Sequence, residues 1–186
     1  MIAVMEDLDM SMLETLDVED LDALPKGFRY ELHEGNLVIM TPSSYWHKVM
    51  ARRLVFMLCN AGFEALQDTG VLGEKPRDNR LPDVGVLAAL PPETANYSNL
   101  PGSAFRMVIE VVSENSVNGE YGDKAHWYAE RGIPEYWIVE RTPDRSHDDA
   151  QVHQHRLSLV GATPAYARER SVLLSELEAE YRARNA

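Results

Sequence analysis

The sequence predicts a mixed α/β (α+β) protein, in which helices flank both faces of a mixed central sheet. Two segments with helical spacing, 44–60 and 116–131, each lie between segments with strand patterns, and this alternation is typical of a sheet covered by helices. The length of 186 residues, with 45% hydrophobic and 26% charged side chains, is sufficient for one globular domain. The composition excludes collagen-like, mucin-like and wholly disordered chains.

The N-terminal half is predicted to begin with short elements. Asp17 can cap a helix that runs through Leu24, because an aspartate side chain accepts hydrogen bonds from the first amides of a helix. The pattern over 28–40 indicates a hairpin with its turn at 34–36. A longer helix over 44–60 follows, since its apolar side chains recur at helical spacing.

The rest of the chain is predicted to alternate strands with loops and a second helix. The predicted strands are 63–72, 81–90, 105–112, 135–140 and 152–160, the last of them at a sheet edge. The predicted loops are 74–80, 91–102 and 142–149. The helix within 116–131 ends before Gly132, and a short helix follows Leu174. No glycine-rich phosphate-binding motif follows a strand, which argues against a nucleotide-binding protein.

The charge is concentrated at the N-terminus. Thirty acidic and eighteen basic residues give a net charge of -12, which argues against binding nucleic acid through a broad basic surface. Residues 1–24 contain eight acidic residues and no lysine or arginine, so they carry two thirds of the excess. We expect residues 1–16 to be a flexible acidic leader and residues 17–186 to form a single domain.

The cysteine content and the hydropathy point to an intracellular protein. Cys59 is the only cysteine and lies in an apolar run, so we expect a buried, unreactive thiol, with a reactive thiol as the alternative. No segment approaches the roughly 18 consecutive apolar residues of a membrane span, and the N-terminus lacks the basic start of a signal peptide. The expected location is the cytoplasm, with no membrane partner.

Two carboxylates interrupt predicted strands. Glu110 lies within the most apolar strand, and Asp83 lies at the start of another. A buried ionised carboxylate is costly unless it is paired or binds a metal. The alternatives are that Glu110 reaches solvent or pairs with Arg106, and that Asp83 is a turn residue. Together the two acids suit a Mg²⁺ site, because hard cations take carboxylate oxygens.

Basic and imidazole side chains provide further candidates. Lys124 follows the Glu110 strand on the next helix, so its side chain can return to the sheet edge, although an ordinary solvated lysine is the alternative. His153 and His155 share a predicted strand face and could ligate Zn²⁺ or Ni²⁺. Because they have no cysteine nearby, we interpret them, with His147, as surface histidines.

A series of motifs carries a resemblance to a known family. The motifs are Tyr30-Glu31-Leu32, Glu34-Gly35-Asn36-Leu37-Val38, Pro42 with His47, Leu81-Pro82-Asp83-Val84, Ile109-Glu110-Val111-Val112-Ser113, Gly122-Asp123-Lys124 with Tyr128-Ala129, and Gly132-Ile133-Pro134-Glu135-Tyr136-Trp137-Ile138-Val139. Over about residues 18–160 the chain resembles the Uma-two endonuclease family, bacterial restriction-endonuclease-like proteins of the PD-(D/E)xK nuclease superfamily.

The resemblance implies a restriction-endonuclease-like fold and hydrolysis of DNA phosphodiesters with Mg²⁺ or Mn²⁺. It assigns Asp83 and Glu110 to the metal. The superfamily places a lysine two residues after the glutamate, where this chain has Val112. The Uma-two pattern moves that lysine to the next helix, at Lys124. Glu31 matches a further acidic position of the site.

The resemblance also suggests residues that contact substrate. His47 matches a polar position near the site, where it could cap the helix or contact phosphate, and a surface histidine is the alternative. Lys48, Arg52 and Arg53 form a basic helix face that could touch the DNA backbone, or could simply be solvated. For Glu31 the alternative is an ion pair within the hairpin, to Arg29 or Lys26.

One departure from the family pattern bears on DNA binding. Relatives commonly carry basic residues after the catalytic glutamate, whereas this chain continues with Ser113-Glu114 and then Val117-Asn118-Gly119-Glu120. We therefore expect weak, salt-sensitive DNA binding. A homodimer is possible, because cutting both strands requires two sites related by a two-fold axis. The rival hypotheses are an inactive family member that binds DNA or a protein, and an unrelated α/β domain.

Overall fold

The computed structural model describes residues 14–40, 42–88, 99–113 and 119–184. The strands are β1 (Arg29–His33), β2 (Asn36–Met40), β3 (Glu64–Leu66), β4 (Gly70–Leu72), β5 (Asn79–Arg80), β6 (Val84–Leu87), β7 (Asn99–Pro101), β8 (Phe105–Val111), β9 (Glu135–Glu140), β10 (Gln151–Val160) and β11 (Thr163–Leu173). The α-helices are α1 (Tyr45–Asn60), α2 (Asp123–Glu130) and α3 (Leu174–Arg184), and short 3-10 helices span Val18–Ala23 and Gly102–Ala104.

Six strands form the central sheet, in the order β11-β10-β9-β8-β6-β3. Strands β8 and β9 are parallel, and the other neighbouring pairs are antiparallel. Helix α2 lies in the connection between β8 and β9, as expected because parallel strands need a crossover. The predicted mixed sheet flanked by helices is therefore confirmed.

Alternation along β8 places its side chains in two separate cores. Ile109 and Val111 join the core that contains α1 and α3, whereas Val108 joins the core that contains Trp127 and Tyr128 of α2. Successive side chains of a strand point to opposite faces, so Glu110 lies on the α2 face with Val108. The register of β8 thus decides which helix meets the carboxylate.

Two small sheets lie beside the central one, the hairpin β1-β2 and the three-stranded sheet β5-β4-β7. Asn79 joins them, because its Oδ1 accepts the Leu32 amide at 2.7 Å and its Nδ2 donates to Asn99 Oδ1 at 2.9 Å. The predicted hairpin is confirmed. The single strand predicted over 63–72 is wrong, because the left-handed conformation of Asp68 (φ 56°) turns the chain between β3 and β4.

The N-terminal part of the described chain is held by a cap and a buried side chain. Asp17 caps the helix as predicted, with a capping box to Asp20, although the helix is of the 3-10 type. Leu16 is buried, and its carbonyl accepts Arg77 Nε at 2.7 Å. Ordered contacts therefore include the last residue assigned to the leader, and residues 1–13 lie outside the described part.

Other element boundaries differ from the predictions. Strands β5 and β7 form within two predicted loops, where few apolar side chains mark them. The predicted strand 81–90 is regular only in β6, and its last two residues lie outside the described part. The predicted helix 116–131 begins at Asp123, after turns at 119–122, and 114–118 are not described. The predicted helix after Leu174 is confirmed as α3.

Strand β10 is not at the sheet edge, because β11 pairs along its whole length. The polar sequence of β11 lacks the apolar alternation that marks a half-buried strand. The interpretation of His153 and His155 as surface histidines is consequently wrong, since both are buried. His153 instead bridges three strands, with Nδ1 2.6 Å from Ser171 Oγ and Nε2 2.9 Å from Glu140 Oε1.

Cys59 is exposed, so the predicted buried thiol is wrong. A helix turns about 100° per residue, so an unbroken apolar run cannot face one side only. Leu54 and Leu58 of α1 reach the core, while Phe56 and Cys59 lie on the outer face. Within the described ranges, none of the helices is long and apolar enough to cross a membrane.

Substitution of Leu54 and of Phe56 separates the two faces of α1. Leu54→Ala leaves a cavity between α1 and the sheet and should lower the free energy of unfolding by about 2–5 kcal/mol. Phe56 is 61% exposed, so Phe56→Ala should lower it by less than about 1 kcal/mol. Urea unfolding followed by circular dichroism measures both, and equal losses would contradict the described orientation of the helix.

Candidate active site

Antiparallel pairing brings Asp83 to the end of β8. Val84, the first residue of β6, lies opposite Ile109 of β8. Asp83 precedes that pair, and its Oδ2 accepts the backbone amide of Val111 at 2.8 Å. The two strand carboxylates of the sequence, Asp83 and Glu110, therefore meet at one end of the sheet.

Glu110 is only 2% exposed, and α2 supplies a donor to each of its oxygens. Lys124 Nζ lies 3.0 Å from Oε2, and the Tyr128 hydroxyl donates to Oε1 at 2.8 Å. The two donors are four residues apart, so they lie on one face of α2. Neither alternative for these residues is observed: Lys124 is not an ordinary solvated lysine, and Arg106 stacks on Phe63 rather than pairing with Glu110.

Asp83 is held on its other side by α1 and β1. His47 Nε2 lies 2.9 Å from Asp83 Oδ1, and Arg29 Nη1 lies 3.5 Å from the same oxygen. His47 is buried, and the Ser44 cap fixes the first turn of α1 by accepting the His47 amide at 3.3 Å. The alternative of a surface histidine is therefore wrong.

Glu31 is also buried, on β1. Its Oε1 accepts the Leu81 amide at 2.7 Å, and its Oε2 lies 2.7 Å from His33 Nε2. The alternative ion pair to Arg29 or Lys26 is not formed. Arg29 Nε instead lies 2.8 Å from Asp68 Oδ1, and Lys26 donates to the Asp22 carbonyl.

The basic side chains of α1 divide between two directions. Lys48 and Arg52 are exposed, beside a cavity described below. Arg53 points the other way, with Nε and Nη2 at 2.8 and 2.9 Å from the Glu178 carboxylate of α3. The predicted basic face therefore excludes Arg53.

Two adjoining cavities meet at Asp83. The first, which we call the carboxylate cavity, has a volume of about 500 Å³ and is lined by Asp83, Glu110, Lys124 and His47 among others. The second has a volume of about 550 Å³ and is lined by Lys48 and Arg52. Asp83 and His47 line both, so one continuous surface is bordered by Asp83, Glu110, Lys124, His47, Lys48 and Arg52, whereas Glu31 lies buried behind it.

Burial and neighbouring charges set the ionisation of the site. Burial raises the pKa of Glu110 to about 7, the charges of Asp83 and Glu31 add to this effect, and Lys124 opposes it. Burial opposes the charged form of Lys124, but Glu110, Glu31 and Asp83 outweigh it and raise the Lys124 pKa. Lys124 is therefore charged at neutral pH, while Glu110 is close to its titration midpoint.

The other two carboxyls are ionised. Burial acts to raise the pKa of Asp83, but the hydrogen bond and charge of His47, the Val111 amide and Arg29 together lower it. The pKa of Glu31 is likewise lowered, because His33, Lys124 and the Leu81 amide outweigh its burial. The three carboxylates therefore act on one another, since the charges of Asp83 and Glu31 add to the effect of burial on the pKa of Glu110.

The donor set suits a hard cation that keeps water ligands. Within the described ranges, no group of three or more His, Cys, Asp and Glu side chains is arranged to hold a metal ion. Asp83 and Glu110 nevertheless both line one cavity, and the charge of Asp83 acts on Glu110. Mg²⁺ is commonly bound through one or two carboxylates, with water completing its coordination. The residues therefore fit the expected Mg²⁺ or Mn²⁺.

Sequence reasoning assigned no role to two residues that shape the site. Tyr128 could have been found, since it lies one helical turn from Lys124. Asp78 gave no signal, because it lies in a predicted turn. Its buried carboxylate accepts Trp127 Nε1 at 2.9 Å and Arg131 Nη2 at 3.1 Å from the helix α2 region, and Arg80 Nη1 at 2.9 Å.

Comparison with known proteins decides the family. A family model described as "Putative restriction endonuclease" and named Uma2 matches residues 18–181. The chain belongs to the Uma2 family. The resemblance of the motifs is thereby confirmed, and the match extends beyond residue 160 through β11 into α3.

The fold of this Uma2 chain is also found in a solved structure. It is similar to a crystal structure described as a "putative nuclease belonging to DUF820" from Anabaena variabilis ATCC 29413, with a TM-score of 0.58 and 14% identity. The similarity covers 85% of this chain and 83% of the other. A search of curated proteins found no match.

The raised pKa of Glu110 predicts a pH-dependent stability. The folded state binds the Glu110 proton more tightly than a free glutamate with a pKa of 4.5, so protonation of Glu110 stabilises the fold. This contribution to the free energy of unfolding is complete below about pH 4.5 and is lost as the pH rises through about 7. The loss amounts to up to about 3 kcal/mol. Glu110→Gln should remove this decline from urea unfolding curves recorded with EDTA between about pH 5 and 8.

Glu64→Gln is the matched control, because Glu64 is an exposed carboxyl of β3. It should retain the decline of the wild type. If Glu110→Gln follows the wild-type curve across this range, the raised pKa of Glu110 is wrong.

Proposed function

We propose that the protein is a Mg²⁺- or Mn²⁺-dependent endonuclease that hydrolyses DNA phosphodiester bonds. The observation that carries the proposal is the 3.0 Å contact of Lys124 with Glu110 at the end of β8, where Asp83 also binds the Val111 amide. Membership of a family described as restriction endonucleases supports this class of reaction. A chain without catalytic function would have little need for a charged lysine beside two buried carboxylates.

Asp83 and Glu110 would hold the cation. A divalent cation bound there would supply a more acidic water molecule and positive charge opposite the phosphate in the transition state. His47 keeps Asp83 oriented through the 2.9 Å contact to Oδ1. Tyr128 keeps Glu110 oriented through Oε1 and, since its pKa is raised by burial and by the Glu110 charge, it remains a donor.

Lys124 would act directly on the reacting phosphate. Its ammonium group is charged, borders the carboxylate cavity and can donate to a phosphate oxygen as negative charge develops there. The same group can orient the attacking water. Glu31 acts on Lys124 from a distance, because its charge helps to keep the amine protonated.

Substrate binding would be weak and sensitive to salt. The net charge of -12 disfavours long-range attraction of DNA, and the adjoining cavity adds only two exposed cations, Lys48 and Arg52. Cleavage of both DNA strands would require two copies of the site related by a two-fold axis. We therefore propose that the protein acts as a homodimer when it cuts both strands. The cytoplasmic location stays a prediction.

Nicking of supercoiled plasmid DNA tests the function. The wild type should nick it with Mg²⁺ or Mn²⁺ and not with EDTA. Asp83→Asn and Lys124→Met should each lower the rate by about 100-fold or more, because the first removes a ligand of the cation and the second removes the positive charge at the reacting phosphate. Lys75→Met is the matched control: Lys75 is 75% exposed and pairs with Glu34, so the rate should not change.

Folding of each variant is checked by near-ultraviolet circular dichroism. Metal-dependent nicking that survives both Asp83→Asn and Lys124→Met would mean that a contaminating nuclease cuts the plasmid, and the proposal would fail. DNA binding without nicking in any of these metals would favour the inactive family member instead.

A further inference from the structure

Two exposed aromatic side chains border the second cavity. Tyr45, the first residue of α1, is 83% exposed, and Phe28 is 38% exposed. Single exposed apolar residues are common and need no explanation, but these two line the same cavity of about 550 Å³. We call this cavity the Tyr45 groove, lined by Phe28, Arg29, Tyr45, Lys48, Arg52 and Gln67 among others.

The ring of Phe28 packs against a neighbouring ring. Its centroid lies 6.3 Å from that of Tyr30, at an interplanar angle of 49°. The Tyr30 hydroxyl in turn donates to the Pro25 carbonyl at 2.8 Å. Phe28 therefore has a ring contact on one side, while part of its surface stays exposed at the groove.

Uncompensated cations lie on the same stripe of α1 as Tyr45. Lys48 and Arg52 follow Tyr45 by three and seven residues, which places the three side chains on one helix face. Within the described residues, neither Lys48 nor Arg52 forms an ion pair or a side-chain hydrogen bond, whereas Arg29 pairs with Asp68 and Asp83. The groove thus combines aromatic surface with a modest positive charge.

The groove continues into the site of the proposed reaction. Arg29, His47 and Asp83 line both the Tyr45 groove and the carboxylate cavity. A polynucleotide strand that lies along the groove would therefore bring its next phosphate to Asp83 and Glu110.

We propose that the Tyr45 groove binds an unpaired segment of a DNA strand, with bases stacked on Tyr45 and Phe28 and phosphates beside Lys48 and Arg52. The substrate class of the neighbouring site is then single-stranded or locally unpaired DNA. This inference rests on the proposed function, because it names the substrate of that activity.

The aromatic rings favour an unpaired strand over a duplex. Bases in a duplex cover one another's faces, whereas unpaired bases offer them to aromatic side chains, and such stacking is tolerant of sequence. The charge density of the DNA also favours a single strand. Duplex DNA carries one phosphate per about 1.7 Å of axis and a single strand one per about 3.4 Å. Two uncompensated cations in an acidic protein match the less densely charged partner.

Binding is measured without cleavage, by fluorescence anisotropy in EDTA at low salt. The ligands are a single-stranded oligonucleotide and a hairpin duplex of the same length. The wild type should bind the single strand roughly tenfold more tightly, and Tyr45→Ala should weaken that binding roughly tenfold while changing duplex binding by less than about twofold. Phe28→Ala should act in the same direction.

Phe56→Ala is the matched control, because Phe56 is an exposed aromatic residue of the same helix that lines a different cavity. It should leave both affinities unchanged. A second readout detects stacking itself: an oligonucleotide with 2-aminopurine should lose fluorescence on binding to wild type and to Tyr45→Phe, and should lose much less with Tyr45→Ala.

The possible outcomes separate this inference from the proposed activity. Equal or tighter binding of the duplex, or equal weakening of both ligands by Tyr45→Ala, overturns the inference even if plasmid nicking depends on Asp83 and Lys124. Selective, Tyr45-dependent binding of the single strand together with no nicking supports the groove and overturns the proposed activity.

Discussion

The buried carboxylate of Glu110 is the constraint on which the rest of the site depends. An ionised carboxylate at this depth is several kcal/mol unfavourable unless donors meet it, and α2 meets both oxygens through Lys124 and Tyr128. The position of α2 is fixed independently, because Asp78 accepts Trp127 and Arg131. The turn between β4 and β5, which carries Asp78, therefore contributes to the geometry of a site to which it supplies no ligand.

The ionisation of the site follows from burial, which acts on both strand carboxylates, and from the donors that each of them receives. Asp83 has a backbone amide, His47 and Arg29, and its pKa is lowered despite burial. Burial raises the pKa of Glu110 to about 7; the charges of Asp83 and Glu31 add to this effect, and its one cationic partner, Lys124, opposes it. Such unequal pairs are found at functional sites more often than in purely structural ones. A cation placed between Asp83 and Glu110 would stabilise the ionised form of Glu110.

Sequence patterns revealed the site residues that can be recognised from their neighbours along the chain. Glu110 stood out because it interrupts an apolar strand, and Lys124 because it follows that strand on the next helix. The contact of His47 with Asp83 joins α1 to β6, and no local pattern reports such a pairing. Strand β11 was missed because its sequence is polar, and that omission also misplaced His153 and His155. Long-range pairing, rather than local propensity, accounts for these errors.

The acidity of the chain explains why recognition and chemistry would occupy different surfaces. Residues 25–140 carry a net charge of -4, and Glu31, Asp83 and Glu110 account for three of those charges. Carboxylates that suit a cation also repel phosphate, so the site itself adds little affinity for DNA before a metal binds. Affinity must then come from a neighbouring surface that does not depend on high charge. The exposed rings of Phe28 and Tyr45 provide such a surface, and because stacking is insensitive to sequence, selectivity would follow strand pairing rather than base identity.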